Sequence, residues 1–128
     1  MDPIFGIHES AMLVRARRMD LLARNLANAD TPGFKARDMD FTQELDRLAS
    51  GTSRLTTTHE RHLRSPRGAS ADDQLKYRVP HQPSQDGNTV ETDLEQARFA
   101  ENAVAYQTTI LFLNGRIGTL RTAITGGR

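Results

Sequence analysis

The feature that most constrains this chain is a run of apolar and aromatic side chains near its C-terminus, repeating in alternating steps of four and three residues. Eight successive positions keep this repeat without a polar exception. Such spacing is typical of a helix that buries one narrow stripe, as in a coiled coil. The sequence therefore predicts a long C-terminal helix whose stripe packs against a neighbour. The eight positions, called the seam from here on, are Phe99, Ala103, Tyr106, Ile110, Leu113, Ile117, Leu120 and Ile124.

The ends of this helix carry sequence signals of their own. Thr92 and Glu95 have the spacing of a capping box, in which each side chain would accept a backbone hydrogen bond at the helix start. Gly126 suits the left-handed conformation that often ends a helix. Thr109 lies outside the seam, so we expect a charge at that position to be tolerated.

The N-terminal region shows a second, weaker helical pattern. Asp2 followed by Pro3 resembles a helix start, because proline is favoured at the first helical position. The helix is predicted to continue to about Ala29. Apolar residues recur along it at a seven-residue spacing, and others broaden the stripe. From this helix we expect Met12, Met19, Leu22 and Leu26 to join the seam at a subunit interface.

Two helices of these lengths would not form a compact ball. At 1.5 Å per residue they would measure roughly 40 and 50 Å, far beyond the usual globular helix. Paired with each other they would bury one stripe each, and the remaining apolar faces would need another chain. Gly115 and Gly118 weaken the helix, and we favour close approach of a neighbouring helix as the reason. The alternative is a local bend or early fraying of the helix end.

The middle of the chain is polar and mostly irregular. A short amphipathic helix is predicted from Phe41 to Ala49. The LKYRVP segment at 75–80 could form a short strand, and the turn-forming DGNTV segment at 86–90 could complete a small β-hairpin with it. The predicted fold is therefore mainly α, with long terminal helices pairing as a coiled-coil-like inner domain around a polar middle segment.

The division of the chain follows from these patterns. Residues 1–30 form the N-terminal helix, 31–92 the connector and variable middle segment, and 93–128 the C-terminal helix. The two ends together are expected to form one structural domain.

Composition argues against several classes of function. The net charge is near +1 and aromatic residues are few, which does not favour a nucleic-acid binder. The chain has no cysteine, so disulfides, thiolate metal sites and a cysteine nucleophile are excluded. No membrane span and no cleavable signal peptide are visible, and on these grounds alone the chain would be assigned to the cytoplasm. Neither a catalytic constellation nor a cofactor motif is found.

One histidine-rich stretch invites a metal interpretation. His59, Glu60 and His62 lie together, with His81 further along the chain. The two neighbouring histidines are three positions apart, whereas the zinc-binding H-E-x-x-H pattern needs them four apart with glutamate between. We therefore expect solvated loop histidines and no metal site.

The most specific motif follows the first helix. The stretch NLANADTPGFKARDMDF at 25–41 changes from helix-forming residues to a Thr-Pro-Gly turn and then to a charged connector. Pro32 disfavours helix at the residue before it, and Gly33 can adopt the positive φ of a type II turn. The motif residues are Asn25, Asn28, Thr31, Pro32, Gly33, Phe34, Lys35 and Phe41.

This motif resembles the N-terminal signature of the axial proteins of the bacterial flagellar rod and hook, N-x-A-N-x-x-T-P-G-[FY]-K. The continuation to Phe41, the DGNTV segment and the RFAENA segment at 98–103 narrow the resemblance to proximal rod proteins. The resemblance covers both termini and the connector, while residues 50–85 match only in being polar and variable.

The resemblance implies a structural subunit without enzymatic activity, metal or cofactor. Such a subunit would be exported unprocessed through the flagellar type III apparatus and would polymerise in the periplasm as part of the drive shaft. This location replaces the cytoplasmic assignment. Its partners would be other copies of itself, other rod proteins and the adaptor at the rod base, without nucleic acid. Phe34 and Phe41 would anchor the connector on neighbouring subunits.

A second interpretation stays open from the residues alone. A soluble helical adaptor or chaperone-like module would also carry long helices with uncovered apolar stripes. Filament formation, as opposed to a discrete one-to-one complex, would separate the two.

Overall fold

A computed structural model of the protein describes residues 5–49, 75–82 and 84–126. In these ranges the chain forms three helices and a two-stranded sheet. The predicted histidine-rich stretch around His59 and His62 lies outside the described residues. The elements in chain order are α1 (Ile7–Ala27), β1 (Arg37–Asp38), α2 (Phe41–Ala49), β2 (Lys76–Tyr77) and α3 (Thr92–Thr125).

The two long helices pack against each other in antiparallel orientation. The ring of His8, near the start of α1, lies 5.9 Å from that of Phe112, in the second half of α3. At the other end, the Asn25 side chain of α1 donates to Glu95 in the first turn of α3. The prediction that the N- and C-terminal helices pair is confirmed. Because α3 is the longer helix by several turns, it extends past one end of α1 by about 20 Å.

The hydrophobic core is small and lies on the side of α1 that faces the connector and α2. Its buried members are Val14 and Leu21 from α1 and Met39 from the connector. Burial of these side chains holds α2 and the connector against α1. Phe41, Leu48 and Leu75 pack on the cluster while remaining partly exposed.

Both ends of α1 differ from the prediction. The helix begins at Ile7, because Gly6 before it has a positive φ of 57°. Such a φ lies outside the right-handed helical region. The prediction of a continuous helix from Asp2 and Pro3 is therefore wrong, although those two residues themselves lie outside the described ranges. The C-terminal end comes at Ala27, earlier than the expected end near Ala29.

At the start of α3 the predicted capping box is absent. Thr92 is the first helical residue, and Glu91 before it makes no side-chain capping bond. The Glu95 side chain does not return to the helix start, because it forms a buried ion pair with Arg78. The other end agrees with the prediction: Gly126 follows α3 with a φ of 69°.

The middle segment contains the predicted short helix and a small sheet, but the strand has another partner. The backbone N–H groups of Thr42 and Gln43 donate to Asp40 Oδ1, which caps α2. β2 lies inside the predicted 75–80 segment and pairs antiparallel with β1, not with residues 86–90. Those residues instead form a turn that runs against the connector.

Candidate functional site

Asn25, the first residue of the connector motif, joins three parts of the fold. Its Nδ2 donates to the carbonyl oxygen of Arg37 at 2.7 Å and to Glu95 Oε2 at 3.2 Å, and its Oδ1 accepts from the Arg37 N–H. The side chain is buried, so loss of these bonds would leave several polar groups unsatisfied. An asparagine here fixes the connector between α1 and α3.

The end of α1 is closed by an asparagine from a distant part of the chain. Asn88 is buried, and its Nδ2 lies within 3.1 Å of the carbonyl oxygens of Asn28, Ala29 and Thr31. Carbonyls at a helix end lack intrahelical partners and need such donors. Asn28 also donates from Nδ2 to the Arg24 carbonyl oxygen at 2.8 Å. The turn after α1 is thus held from two directions.

The Thr-Pro-Gly turn acts as predicted from its residue types. Gly33 has a φ of 73°, a conformation that residues with a Cβ rarely adopt. Its N–H donates to the Asp86 carbonyl oxygen at 2.9 Å. The Thr89 N–H donates to the Phe34 carbonyl oxygen, and Lys35 Nζ donates to that of Gly87 at 2.6 Å. The connector therefore runs beside residues 86–90.

The two phenylalanines of the connector differ in their surroundings. Phe34 is half-buried beside the turn. Phe41 packs on the core of its own chain, and the Arg15 guanidinium lies 4.3 Å from the centre of its ring. Phe41 therefore has a packing role inside the chain, because the connector folds back on α1, and its expected contact with a neighbouring subunit stays a prediction.

An ion-pair cluster links the sheet to both long helices. Asp38 of β1 lies 3.3 Å from Arg18 Nε, 2.6 Å from Arg78 Nη2 and 3.6 Å from Arg98 Nη1. Arg78 also pairs with Glu95, whose side chain is fully buried. Burial acts to raise the pKa of Asp38, but the charge of Arg18 and the hydrogen bond from Arg78 outweigh it and keep the pKa below its ordinary value.

A second ion-pair group fixes α2 on α1. The buried Glu44 carboxylate accepts from Arg17 at 2.8 Å and from Arg47 at 2.6 Å. The hydrogen bond from Arg47 lowers the pKa of Glu44, against the opposing effect of burial. Asp38 and Glu44 are thus both held ionised by arginines, as in structural ion pairs.

The face of α3 that meets α1 is polar along its centre. Glu95, Asn102 and Thr109 are buried, and their seven-residue spacing puts them on one line along the helix. Asn102 Nδ2 donates to the Arg15 carbonyl oxygen, and the Thr109 hydroxyl donates to that of Ala105. Thr109 thus lies outside the seam but is buried, which removes the reason for expecting a charge there to be tolerated.

The predicted seam lies beside this polar line, and its burial falls along the helix. Ile117 is 44% exposed and Ile124 is 86% exposed, because α3 extends past α1. Phe5 and this end of α3 border a groove of about 290 Å³. The seam positions that are half-buried are Phe99, Ala103, Tyr106, Ile110 and Leu113.

The interface residues predicted in α1 fall into two groups. Leu22 is fully buried and thus covered within one chain. Met12, Met19 and Leu26 are half-buried and keep surface that a neighbour could cover.

Further apolar side chains are exposed on other faces of α3. Leu111 is 69% exposed, and Val104 and Phe112 are also exposed. Beside them, Gly115 and Gly118 have no described atom within 4 Å of where a Cβ would stand. The close helix neighbour expected at these glycines is not supplied within the described part of the chain. Exposed apolar side chains grouped in this way are typical of surfaces that bind another protein.

Several residues that organise this arrangement were missed from the sequence. Asp38 and Arg78 gave no signal, because ion-pair partners distant in sequence cannot be matched without the fold, and Glu95 was singled out only for the capping box. The buried polar residues of α3 did carry a signal in the sequence, because Glu95, Asn102 and Thr109 repeat at a fixed heptad spacing. In the described ranges, no helix has both the length and the hydrophobicity to span a membrane. No group of three or more potential ligand side chains is placed to hold a metal there.

Comparison with known proteins places the chain in a family. The family model described as "Flagella basal body rod protein" matches residues 5–35, which comprise α1 and the connector turn. A protein of Proteus mirabilis, "Flagellar basal body rod protein FlgB", is 41% identical over 99% of this chain and 97% of the relative. Proteins of the same name from Cereibacter sphaeroides and Escherichia coli are 50% and 38% identical, over 94% and 99% of this chain and 93% and 96% of the relatives. The chain belongs to the FlgB family of flagellar basal body rod proteins.

Proposed function

We propose that this chain is a structural, non-enzymatic subunit of the proximal rod of the flagellar basal body. Copies polymerise through their terminal helices into the drive shaft that transmits torque from the motor to the hook. The subunit is exported through the type III apparatus without a cleavable signal peptide and assembles in the periplasm. Its neighbours are other copies, other rod proteins and the adaptor at the rod base.

The observation that carries this proposal is the uncovered apolar surface of α3. Ile117, Leu120 and Ile124 continue the seam beyond the region that α1 covers, and Leu111 and Phe112 are exposed on other faces. A helix with several apolar faces is normally surrounded by protein. Packing between copies would cover these faces, as a subunit of a polymeric rod requires.

The polar centre of the α1–α3 contact also supports the proposal that the seam packs between subunits. Glu95, Asn102 and Thr109 are used inside the chain, where their hydrogen bonds and ion pair are made. The apolar seam is left to the side of this line, where neighbouring subunits can reach it. No feature of the described residues favours the alternative of a soluble adaptor.

The test compares folding and assembly in the same variants. Ile124 is mostly exposed in the single chain, so Ile124→Asp should change the free energy of unfolding by no more than about 0.5 kcal/mol. In an assembled rod it would bury an unpaired carboxylate, at a cost of roughly several kcal/mol per subunit. Ile117→Asp should behave similarly, with a larger effect on folding.

Asn114→Asp is the matched control, because it adds the same charge at an exposed polar position of the same helix. Each variant replaces the native protein in a motile strain, export is confirmed, and basal bodies with complete rods are counted. Few rods with Ile124→Asp and Ile117→Asp, and many with Asn114→Asp, are expected. Equal rod counts for all three would refute the proposal that the seam packs between subunits.

A further inference from the structure

A basic groove lies between the C-terminal half of α1, the connector and β2. Its volume is about 660 Å³. Leu21 and Met39 form apolar parts of its lining, and Phe34 and Tyr77 stand at its sides. The groove is separate from the seam on α3, so packing of the seam would not account for it.

The charged side chains of the groove are mostly cations. Arg24 is paired with Asp20 at 3.0 Å. Lys35 donates to a carbonyl oxygen, while Arg37 stacks on the Tyr77 ring at 5.0 Å and donates to its hydroxyl. Within the described ranges, neither Lys35 nor Arg37 forms an ion pair with a carboxylate. An occupant that places carboxylates beside apolar side chains would match this lining.

The outer face of the first half of α3 has this chemistry. Asp93, Ala97, Glu101 and Val104 follow one another in steps of four, four and three, and all of them are exposed. The two carboxylates are about 12 Å apart along the helix, and neither forms an ion pair with another described residue. Ala97 between them has a side chain small enough to let the helix backbone enter a groove.

The two surfaces cannot meet within one chain. The face opposite to Asp93 and Glu101 is held on α1 through Asn25, Glu95 and Asn102. The outer face therefore points away from the groove of its own chain, and only a second copy can present it there. Contact between two different surfaces of identical subunits generates a helical filament when no rotation closes a ring.

We propose that the basic groove binds the outer face of α3 of a second copy, with Lys35 and Arg37 opposite Glu101 and Asp93. The proposal rests on the proposed function, because it names one contact by which copies would join. It adds a polar, charge-matched contact to the apolar seam, and so fixes the register between subunits.

The absence of native cysteine makes a cross-linking test direct. A full-length variant with Arg24→Cys is mixed with one carrying Ala97→Cys, and a short bismaleimide is added under conditions in which the wild type self-associates. Cross-linked heterodimers are expected. The matched control pairs Ala97→Cys with Gln43→Cys, an exposed position on α2 outside the groove, and should give little product.

Charge reversal tests the recognition itself. Lys35→Glu or Glu101→Lys alone should weaken self-association about tenfold, as expected when one partly exposed ion pair becomes a repulsion. The double variant should restore association, because the groove of one copy then meets a reversed face on the next. Both single variants should fold as the wild type does by circular dichroism.

The results of these experiments distinguish failure of the groove contact from failure of the proposed rod function. Equal cross-linking of both cysteine pairs, or no rescue in the double variant, would overturn the groove contact. If rods still required Ile117 and Ile124 in that case, the rod function would stand without it. Cross-linking of the groove only to another rod protein would also overturn the proposed pairing between copies.

Discussion

The ion pair between Arg78 and Glu95 allows the sharpest prediction about stability. The Glu95 side chain is fully buried and that of Arg78 is 9% exposed, so solvent screens the pair little. Glu95→Gln leaves the guanidinium without this partner. Removal of one member of a buried pair typically costs about 3–5 kcal/mol. Because Arg78 keeps Asp38 as a second partner, we expect the lower end, about 3 kcal/mol.

This cost is large relative to the total free energy of unfolding. Domains of this size have unfolding free energies of about 5–15 kcal/mol, and the small core here favours the lower part of that range. Urea titration followed by far-ultraviolet circular dichroism measures the change. Glu101→Gln is the matched control, because it makes the same substitution on the same helix at an exposed position. It should cost about 0.5 kcal/mol or less.

A hydrophobic replacement distinguishes loss of the pair from loss of packing. Glu95→Leu combined with Arg78→Met removes both charges and should recover much of the stability, as buried pairs are often replaceable in this way. Equal unfolding free energies for Glu95→Gln and Glu101→Gln would refute the argument that the pair is desolvated and holds the sheet to α3.

Three further predictions concern the connector and its charges. The pKa values of Asp38 and Glu44 are lowered in the folded state. Their contribution to the free energy of unfolding should therefore be complete above their ordinary pKa values of 3.8 and 4.5. That contribution should be lost as the pH falls through the lower pKa values of the folded state. Urea midpoints measured downwards from about pH 5 check this, and Asp38→Asn should flatten the decline. Asn88→Ala, which uncovers three carbonyl oxygens, should cost about 1–3 kcal/mol; hydrogen exchange should rise in the turn after α1 while the middle of α3 is unchanged. Replacing Pro32 and Gly33 together by alanine should strain the positive-φ position and reduce rod formation more than export; normal rod counts would contradict this role of the turn.

The long helices were predictable because their apolar repeats extend over many turns and local propensity agrees with them. The way in which the two helices pack against each other was not predictable. The seam was expected to be the packed stripe of α3, yet Glu95, Asn102 and Thr109 occupy the centre of the α1–α3 contact. A heptad polar repeat is hard to recognise as buried, since each residue alone reads as a solvated side chain. Its burial depends on Arg78, which pairs with Glu95, and on the Arg15 carbonyl oxygen of α1, which accepts from Asn102.

The structure of the connector was also predictable only in part. Pro32 and Gly33 determine a turn through their own backbone restrictions, so local sequence suffices. The partner of β2 depends on where the connector lies after that turn, and so short a strand has no periodicity to reveal it. The missing capping box has a similar origin, because the tertiary ion pair outcompetes a local bond for Glu95.

The small core has a thermal consequence. Heat capacity of unfolding comes mainly from exposure of apolar surface, and among the described residues only Val14, Leu21, Leu22, Ala36 and Met39 are buried apolar side chains. The free energy of the single chain should therefore vary only gently with temperature. If copies join by covering the exposed side chains of α3, that step adds a negative heat capacity change of its own. Cooling would then weaken the apolar contacts between subunits, so that assembly as well as folding depends on temperature.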